Sequence, residues 1–308
     1  MMSWFSLAIG GHLANAGAFV IDKALLTSSV KHSTTYAGMI GLFSLATVVA
    51  APWAKDWPPL ALLPAILGFG AFFVFALWTF FEALQRAETT RVVPIVGSLV
   101  PVFTLCGTMF FFAERLTERQ GLGFGLLLIA TILLTRGGSK NSRLNLTTVG
   151  LATISALLFA AASLSGKYVF EHMDFVGAFV ASRVAAGLTG ILILAIATKA
   201  RQELFHLFTA KKTKPQKNAP RHPVAWMVVG QASGAIGFLC VHLAIADGSA
   251  AIVNALQAVQ YAAIVLVAWF GGKQLATLLH EERTGKILLI KSSAIICVAI
   301  GLVLISTT

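Results

Sequence analysis

Long apolar runs follow one another along almost the whole chain, with short polar segments between them. Each run has about 20 residues, enough for an α-helix to cross a hydrocarbon core of roughly 30 Å. Backbone groups in lipid must find hydrogen bonds within their own segment, which favours helices. The pattern therefore predicts an all-α integral membrane protein with ten transmembrane helices, at 4–23, 34–54, 60–84, 91–112, 119–136, 147–169, 176–198, 224–246, 250–271 and 286–306.

Polar positions within the fourth predicted span lie on one helix face. At 100° per residue, Arg91, Pro94, Ser98 and Pro101 fall within an arc of roughly 80°. Such a face is costly against lipid, so we expect it to turn toward a cavity or another helix. Two interpretations of the prolines stay open. They form hinges that let the helix bend between two states, or they kink the helix for packing.

Four other spans have polar residues on one side. These groups are His12, Asn15, Asp22 and Lys23 in the first span, Trp78, Glu82 and Gln85 in the third, Gln231 and His242 in the eighth, and Asn254 and Gln257 in the ninth. Histidine titrates near neutral pH, and a buried carboxyl is easily protonated, so several of these groups are candidates for proton coupling. For each histidine, the alternative is a buried ring bonded to the backbone.

Arg183 lies deep in the seventh predicted span. A charge at mid-bilayer costs roughly 2.5–3.5 kcal/mol on insertion scales, so it needs a partner, water or a function. We expect a binding role, with a structural ion pair to Glu82 or Asp22 as the alternative. Lys23 and Lys167 either line a cavity or extend to the interface, and Lys291 is expected to extend to the interface.

Glycines at spacings of four residues occur in two of the predicted spans. Gly121 and Gly125 form one pair, and Gly230 and Gly234 form the other. Because this spacing lets two helices approach closely, we expect both pairs to lie in helix contacts.

Composition excludes a water-soluble protein. The chain of 308 residues is 57% hydrophobic and 11% charged, with a mean hydropathy of +0.84, whereas soluble domains are about 25% charged. The net charge of +11 is distributed unevenly. Loops after odd-numbered spans hold seventeen lysines and arginines, and the even-numbered loops hold four. This bias predicts a multi-pass plasma-membrane protein with both termini outside and the basic loops 137–145 and 199–223 in the cytoplasm. The second of these loops is expected to face anionic lipid, not nucleic acid.

Weak internal repeats relate the two halves of the sequence. The fourth span aligns with the ninth at an offset of 160, and "AERLTERQGLGFG" aligns with "EERTGKILLIKSS" at an offset of 168. The repeats predict two five-helix halves, 1–140 and 141–308. An odd number of spans per half inverts the second copy, as in secondary transporters that bind substrate where the halves meet.

The stretch "ALQRAETTRVVPIVGSLVPVF" with the following "ERLTERQGLGFGLLLIATILLT" resembles the EamA family of the drug/metabolite transporter superfamily. The resemblance covers essentially the whole chain and is strongest over 76–135. It implies a ten-helix fold of inverted repeats that moves small metabolites without hydrolysing nucleotide. Two departures stand out. The family commonly has cytoplasmic termini, where the charge count places them outside, and the second repeat lacks the two prolines of the first. For orientation we follow the charge count.

The favoured function is secondary transport of a small polar or amphipathic metabolite by alternating access. The alternative is a membrane scaffold or sensor that transports nothing. An enzyme is not expected, because the sequence has no H-E-x-x-H or G-x-S-x-G motif, and a P-loop is also absent. We expect no cofactor and no metal, since Cys106, Cys240 and Cys297 lack ligand spacing.

The predicted site joins these residues. The substrate-binding candidates are Arg183, Arg91, Trp78, Glu82, Asn15, Asn254, Gln257, Lys23 and Lys167. The proton-coupling candidates are Glu82, Asp22, His12 and His242, and the hinges are Pro94 and Pro101. Four cations against two carboxylates favour an anionic or zwitterionic solute. The partners expected are this solute, the lipid bilayer and, as a homodimer, a second copy of the chain.

Overall fold

The computed structural model describes residues 3–28, 32–87, 89–134, 145–209, 223–272 and 285–306, and this part of the chain is helical without strands. Its α-helices are α1 (Trp4–Ser28), α2 (Ser33–Ser44), α3 (Leu63–Arg86), α4 (Thr89–Phe111), α5 (Glu118–Leu134), α6 (Leu146–His172), α7 (Phe175–Ile196), α8 (Thr198–Thr209), α9 (Pro223–Asp247), α10 (Ala250–Ala255), α11 (Gln257–Phe270) and α12 (Gly285–Ser306). Two 3₁₀ segments, Leu45–Trp53 and Leu60–Leu62, extend α2 and precede α3.

Nine helical segments in the described residues are long and apolar enough to cross a membrane. They match nine of the ten predicted spans, and α10 and α11 together form one of them. The remaining predicted span, 119–136, corresponds to α5, which is described over 17 residues. Large apolar side chains that a soluble protein would bury are exposed on the outer faces, among them Leu122, Ile129, Leu188, Leu192, Ile236, Ile296 and Val303. The protein is therefore an integral membrane protein.

The closest helix crossings join the first half of the sequence to the second. Helix α1 packs along α9, α2 along α7, α3 along α6, and α5 along α12. Three of these crossings place glycine against glycine, at Gly11 and Gly237, Gly41 and Gly190, and Gly123 and Gly301. A Cβ added to the first residue of each pair would lie about 3 Å from backbone atoms of its partner. Small residues allow this approach and let backbones make van der Waals contact in lipid.

Of the two glycine pairs predicted to lie in helix contacts, one does and the other does not. In α9, a Cβ at Gly230 would lie 2.8 Å from Ile21 and one at Gly234 would lie 3.5 Å from Ala18, so both glycines face α1 as predicted. In α5, Gly121 and Gly125 have open space where a Cβ would lie, so that prediction is wrong. Gly123, between them, is the residue in the helix contact. The sequence could not distinguish the two faces because all three glycines lie in one apolar run.

The proline-containing span is continuous, while its counterpart in the second half is interrupted. Helix α4 runs through Pro94 and Pro101 without a break. The ninth span, which has no proline, is divided at Leu256 into α10 and α11. The break directly follows buried Asn254 and Ala255.

Asp174 fixes the start of α7. Its carboxylate accepts hydrogen bonds from the backbone amides of Val176 and Gly177, both at 3.0 Å. The amides of Lys55 and Asp56 donate to the same carboxylate at 3.2 and 3.3 Å. One side chain therefore caps a helix and holds the loop before α3 against it.

Candidate functional site

A cavity of about 480 Å³ opens between the start of α2, the end of α3 and the start of α6. Its lining includes Trp78, Glu82 and Gln85, the polar face predicted for the third span. Periodicity placed these three on one side of the helix, and the structure turns that side toward the cavity. The volume is in the range of small-molecule sites. The other lining residues are His32, Ser33, Thr34, Thr79, Arg86 and Leu151.

Glu82 is the acidic group of this cavity, and it is bonded from two sides. Its Oε1 accepts from Nε and Nη2 of Arg86, at 3.0 and 2.7 Å. Its Oε2 accepts from the hydroxyl of Ser33. The ion pair joins residues four apart on one helix and remains partly open to solvent, with 48% of the Arg86 side chain and 28% of the Glu82 side chain exposed. Glu82 is therefore held in place within reach of a ligand.

The start of α2 forms the rim of the cavity and is held by α8. The carboxylate of Glu203 in α8 accepts from the amide of His32 at 3.1 Å and from the hydroxyl of Thr35 at 2.6 Å. It also lies 3.0 Å from Nδ1 of His32. A carboxylate at a helix N-terminus satisfies free amides and opposes the helix dipole. Glu203 therefore ties α8 to the rim of the cavity.

At the opposite end of α6, Lys167 forms an ion pair with Glu114, which we call the closing pair because of the role proposed for it below. The Nζ–Oε1 distance is 2.6 Å, and the Lys167 side chain is 8% exposed. Nζ also donates to the carbonyl of Gly248 at 3.1 Å, and Ser249 donates to Glu114 at 3.1 Å. Lys167 therefore binds groups in two loops at this end of the bundle, and it lies outside the described cavity. Sixteen residues separate it from Leu151, about 24 Å along the helix.

Arg183 is buried among aromatic rings. Its guanidinium carbon lies 3.9 Å from the ring centroid of Phe238, 4.6 Å from Phe73, 5.4 Å from Phe69 and 5.9 Å from Phe179. The residue is 4% exposed, and its Nε and Nη2 have no hydrogen-bond partner among the residues that the structure describes. Neither carboxylate considered as its partner is bonded to it, because Glu82 bonds Arg86 and Ser33 while Asp22 bonds Tyr36. The ion-pair alternative is therefore wrong.

Both histidines are bonded to backbone carbonyls. Nε2 of His12 lies 2.8 Å from the carbonyl oxygen of Val253, and Nδ1 of His242 lies 2.8 Å from that of Phe238. These contacts match the structural alternative stated for each residue. His242 also stacks on Phe238 with a centroid distance of 3.7 Å, which places it beside Arg183.

Several other candidates connect helices away from the cavity. Asp22 accepts from the hydroxyl of Tyr36 on α2. Nδ2 of Asn254 donates to Thr104 at 2.9 Å and to Ser163 at 3.1 Å, which ties α10 to α4 and α6. Asn15 lies against Gly237 of α9. The structure therefore spreads these residues over several helix contacts and does not gather them around one point.

The remaining candidates have fewer described contacts. Gln257 and Lys23 are half-buried. Pro94 and Pro101 lie inside α4, where the Ser98 hydroxyl donates to the Pro94 carbonyl at 2.6 Å. The Arg91 side chain lies outside the described residues, as do positions 135–144 and 210–222 of the two basic loops. Lys291 is 2% exposed, so the expectation that it extends to the interface is wrong.

The phenylalanines around Arg183 were not among the residues predicted from the sequence. Phenylalanine in an apolar run has no contrast with its neighbours, so neither hydropathy nor polarity distinguishes it. Helical spacing was a usable signal. Phe179 precedes Arg183 by four residues, and Phe238 precedes His242 by four, which places each ring directly beside a predicted polar residue.

Two comparisons with known proteins found similarities. Residues 2–136 match the model of the EamA-like transporter family. A solved crystal structure, described only as that of a protein, aligns with 98% of this chain and 96% of its own length, at 15% sequence identity and a TM-score of 0.66. At that identity the likeness shows a shared fold alone. No curated protein matches the chain in sequence.

Proposed function

We propose that the protein is a secondary transporter of the drug/metabolite superfamily that works by alternating access, because residues 2–136, a little under half of the chain, match the model of the EamA-like transporter family. Its cargo is a small polar or amphipathic metabolite. The observation that supports this most directly is the difference between the two ends of α6. A cavity is open at one end, and the closing pair lies at the other.

The open end has features of a solute-binding site. Trp78 supplies a large apolar surface, and Glu82, Gln85 and Ser33 supply hydrogen-bonding groups. Convergent polar groups in a cavity fix the orientation of a ligand. Glu82 is also the proton-coupling candidate nearest to solvent, so a proton or a cationic group of the cargo would compete with Arg86 for it.

The helix pairings support two inverted repeats, 1–140 and 141–308. In the second half, the counterparts of α1 to α5 would be α6, α7, α9, the α10–α11 span and α12. The pair α1–α9 then corresponds to the pair α6–α3. The pairs α2 with α7 and α5 with α12 each join a helix to its own counterpart. Because these contacts cross between halves, the bodies that move cannot be the sequence halves themselves. Each moving body combines helices from both.

In the proposed cycle, the closing pair opens when the cavity end closes. The charge bias of the loops places the cavity on the cytoplasmic side, since His32 and Arg86 border odd-numbered loops. Pro94 and Pro101 provide α4 with two positions that lack a backbone donor, where bending costs little further hydrogen bonding.

The test measures the accessibility of two reporter cysteines from each side of the membrane. Cys106, Cys240 and Cys297 are first replaced by alanine, and Thr34→Cys (in the cavity) or Ser163→Cys (one turn inside Lys167) is introduced. An impermeant maleimide is applied to vesicles of both orientations. We expect labelling at position 34 from the cytoplasmic side and little labelling at position 163. Glu114→Gln, which breaks the closing pair, should raise labelling at position 163 from the other side and lower it at position 34.

The matched control is Glu118→Gln, which neutralises an exposed carboxylate four residues away and should leave both positions unchanged. Opposite changes at the two positions support alternating access. If Glu114→Gln leaves both unchanged, or raises both together, the proposal fails and the scaffold alternative gains support.

A further inference from the structure

Arg183 leaves two strong donors unused. The residue is only 4% exposed, and within the described part of the chain its Nε and Nη2 have no hydrogen-bond partner. Facing rings attract the cation but accept no conventional hydrogen bond. Buried polar groups in native proteins are normally bonded, and an exception calls for an explanation.

The unused donors lie on one edge of the guanidinium. Nε and Nη2 point in the same direction and form the side-on fork that matches a carboxylate. The protein itself shows this edge in use, since the same two atoms of Arg86 both donate to Oε1 of the Glu82 carboxylate. Arg183 thus presents the fork of Arg86 without the carboxylate.

The surroundings of this fork fit an apolar body. Phe69, Phe73, Phe179 and Phe238 surround the guanidinium, and His242 extends the set by stacking on Phe238. Phe170 adds a further ring, 5.8 Å from Phe69 between centroids. A flat or apolar group would pack well among these rings, whereas a small hydrophilic anion would gain little from them.

Phe69, Phe73, Phe179 and Phe238 form what we call the aromatic cage. The cage and the cavity both include residues of α3. Phe73 contacts Arg183, and Trp78, five residues further on, lines the cavity. Five residues of helix span about 7.5 Å. Phe73 therefore lies about one and a half helical turns from Trp78 along α3 and about 140° away around the helix, on the side toward the closing pair.

We propose that Arg183 binds the carboxylate of an organic acid whose apolar or aromatic part packs among the surrounding rings. This inference rests on the proposed transport function and narrows its cargo to monocarboxylates with an apolar body. The fork supplies two charge-assisted hydrogen bonds, and the rings select against small hydrophilic acids.

The experiment compares acids with their uncharged amides. Phenylacetate, 3-phenylpropionate and hexanoate are each paired with the matching amide, and acetate serves as the acid without an apolar body. Binding to the folded state raises the unfolding temperature of purified protein. We expect stabilisation by at least one apolar acid and none by its amide or by acetate. In Arg183→Gln, the affinity for that acid should fall by roughly tenfold or more, because two bonds to a charged group are lost.

The matched control is Arg119→Gln, at an exposed arginine of α5, which should bind the acid as the wild type does. Arg183→Lys keeps the charge without the fork and should bind more weakly than wild type. Equal stabilisation by acid and amide, an unchanged affinity in Arg183→Gln, or no response to any apolar acid would each overturn the inference. The acid–amide comparison in wild type stands even if a variant fails to fold. Because binding is measured without transport, its result is separate from the accessibility test of alternating access.

Discussion

At the scale of single residues, Asp174 shows how one side chain supports two segments. It caps α7 through Val176 and Gly177 and holds the preceding loop through Lys55 and Asp56. Burial raises the pKa of its carboxyl, and these four amide donors lower the pKa by more, so it lies below the ordinary value of 3.8. A carboxyl with a lowered pKa stabilises the fold when ionised.

We therefore predict that Asp174→Ala lowers the free energy of unfolding by about 1 kcal/mol, the usual loss for an N-cap residue. Asp174→Asn should lose less, because the amide oxygen still accepts from the helix. The advantage of wild type over Asp174→Asn should be complete above pH 4 and disappear as the pH falls through the lowered pKa. Thermal unfolding in detergent between pH 2.5 and 7 measures this. A difference independent of pH would show that the charge contributes nothing.

Residue roles were predictable where they depend on local spacing. Trp78, Glu82 and Gln85 share a face by helical geometry, so their common orientation followed from the sequence. The closing pair did not follow, because 53 positions separate Glu114 from Lys167 and only the tertiary fold brings them together. The cage around Arg183 was missed because its rings look like ordinary lipid-facing residues in the sequence.

At the scale of helices, the contacts depend on which glycine faces a neighbour. In α5, Gly123 lies against Gly301 and Ile305 of α12, while Gly125 has open space at the same depth of the helix. The boundaries of α5 and its partner followed from hydropathy, but the buried face of α5 did not. Similarly, hydropathy gave the ninth span without its break at Leu256, because no proline marks it.

This difference gives a prediction with an internal control. Gly123→Val should destabilise the protein by about 1–3 kcal/mol, since its added atoms have no space beside α12. Gly125→Val introduces the same side chain into open surroundings and should be neutral or slightly stabilising, because valine favours helix over glycine. The unfolding temperatures of the two variants, measured in the same detergent, test this prediction. Equal losses would mean that α5 and α12 do not cross at Gly123.

At the scale of the whole molecule, the two halves are interleaved. Helices α1, α2, α3 and α5 each have their main contacts in the second half. A bilayer gives helices no hydrophobic reason to associate, so stability must come from these close crossings. A half by itself would keep its spans in the membrane but lose most of its packing.

We accordingly predict that 1–140 and 141–308, expressed separately, yield no stably folded protein. Expressed together, the halves should assemble, and an affinity tag on one should retain the other through gel filtration. A tagged half carrying Gly11→Val and Gly41→Val should retain less of its partner. A monodisperse 1–140 half that unfolds as cooperatively as the intact chain would contradict this prediction.

The sequence separation of Gly11 and Gly237 also determines how long α1 is without its partner α9 during synthesis. The ribosome adds roughly 5–20 residues each second, so the about 230 residues between these glycines take on the order of 10–45 s. During that time the face of α1 with His12 and Asn15 lies in the membrane before α9 exists. Until α9 is synthesised, lipid, other helices or insertion factors must cover this face of the nascent chain. In a chain truncated before α9 the face stays uncovered, and quality-control proteases of the membrane can recognise it.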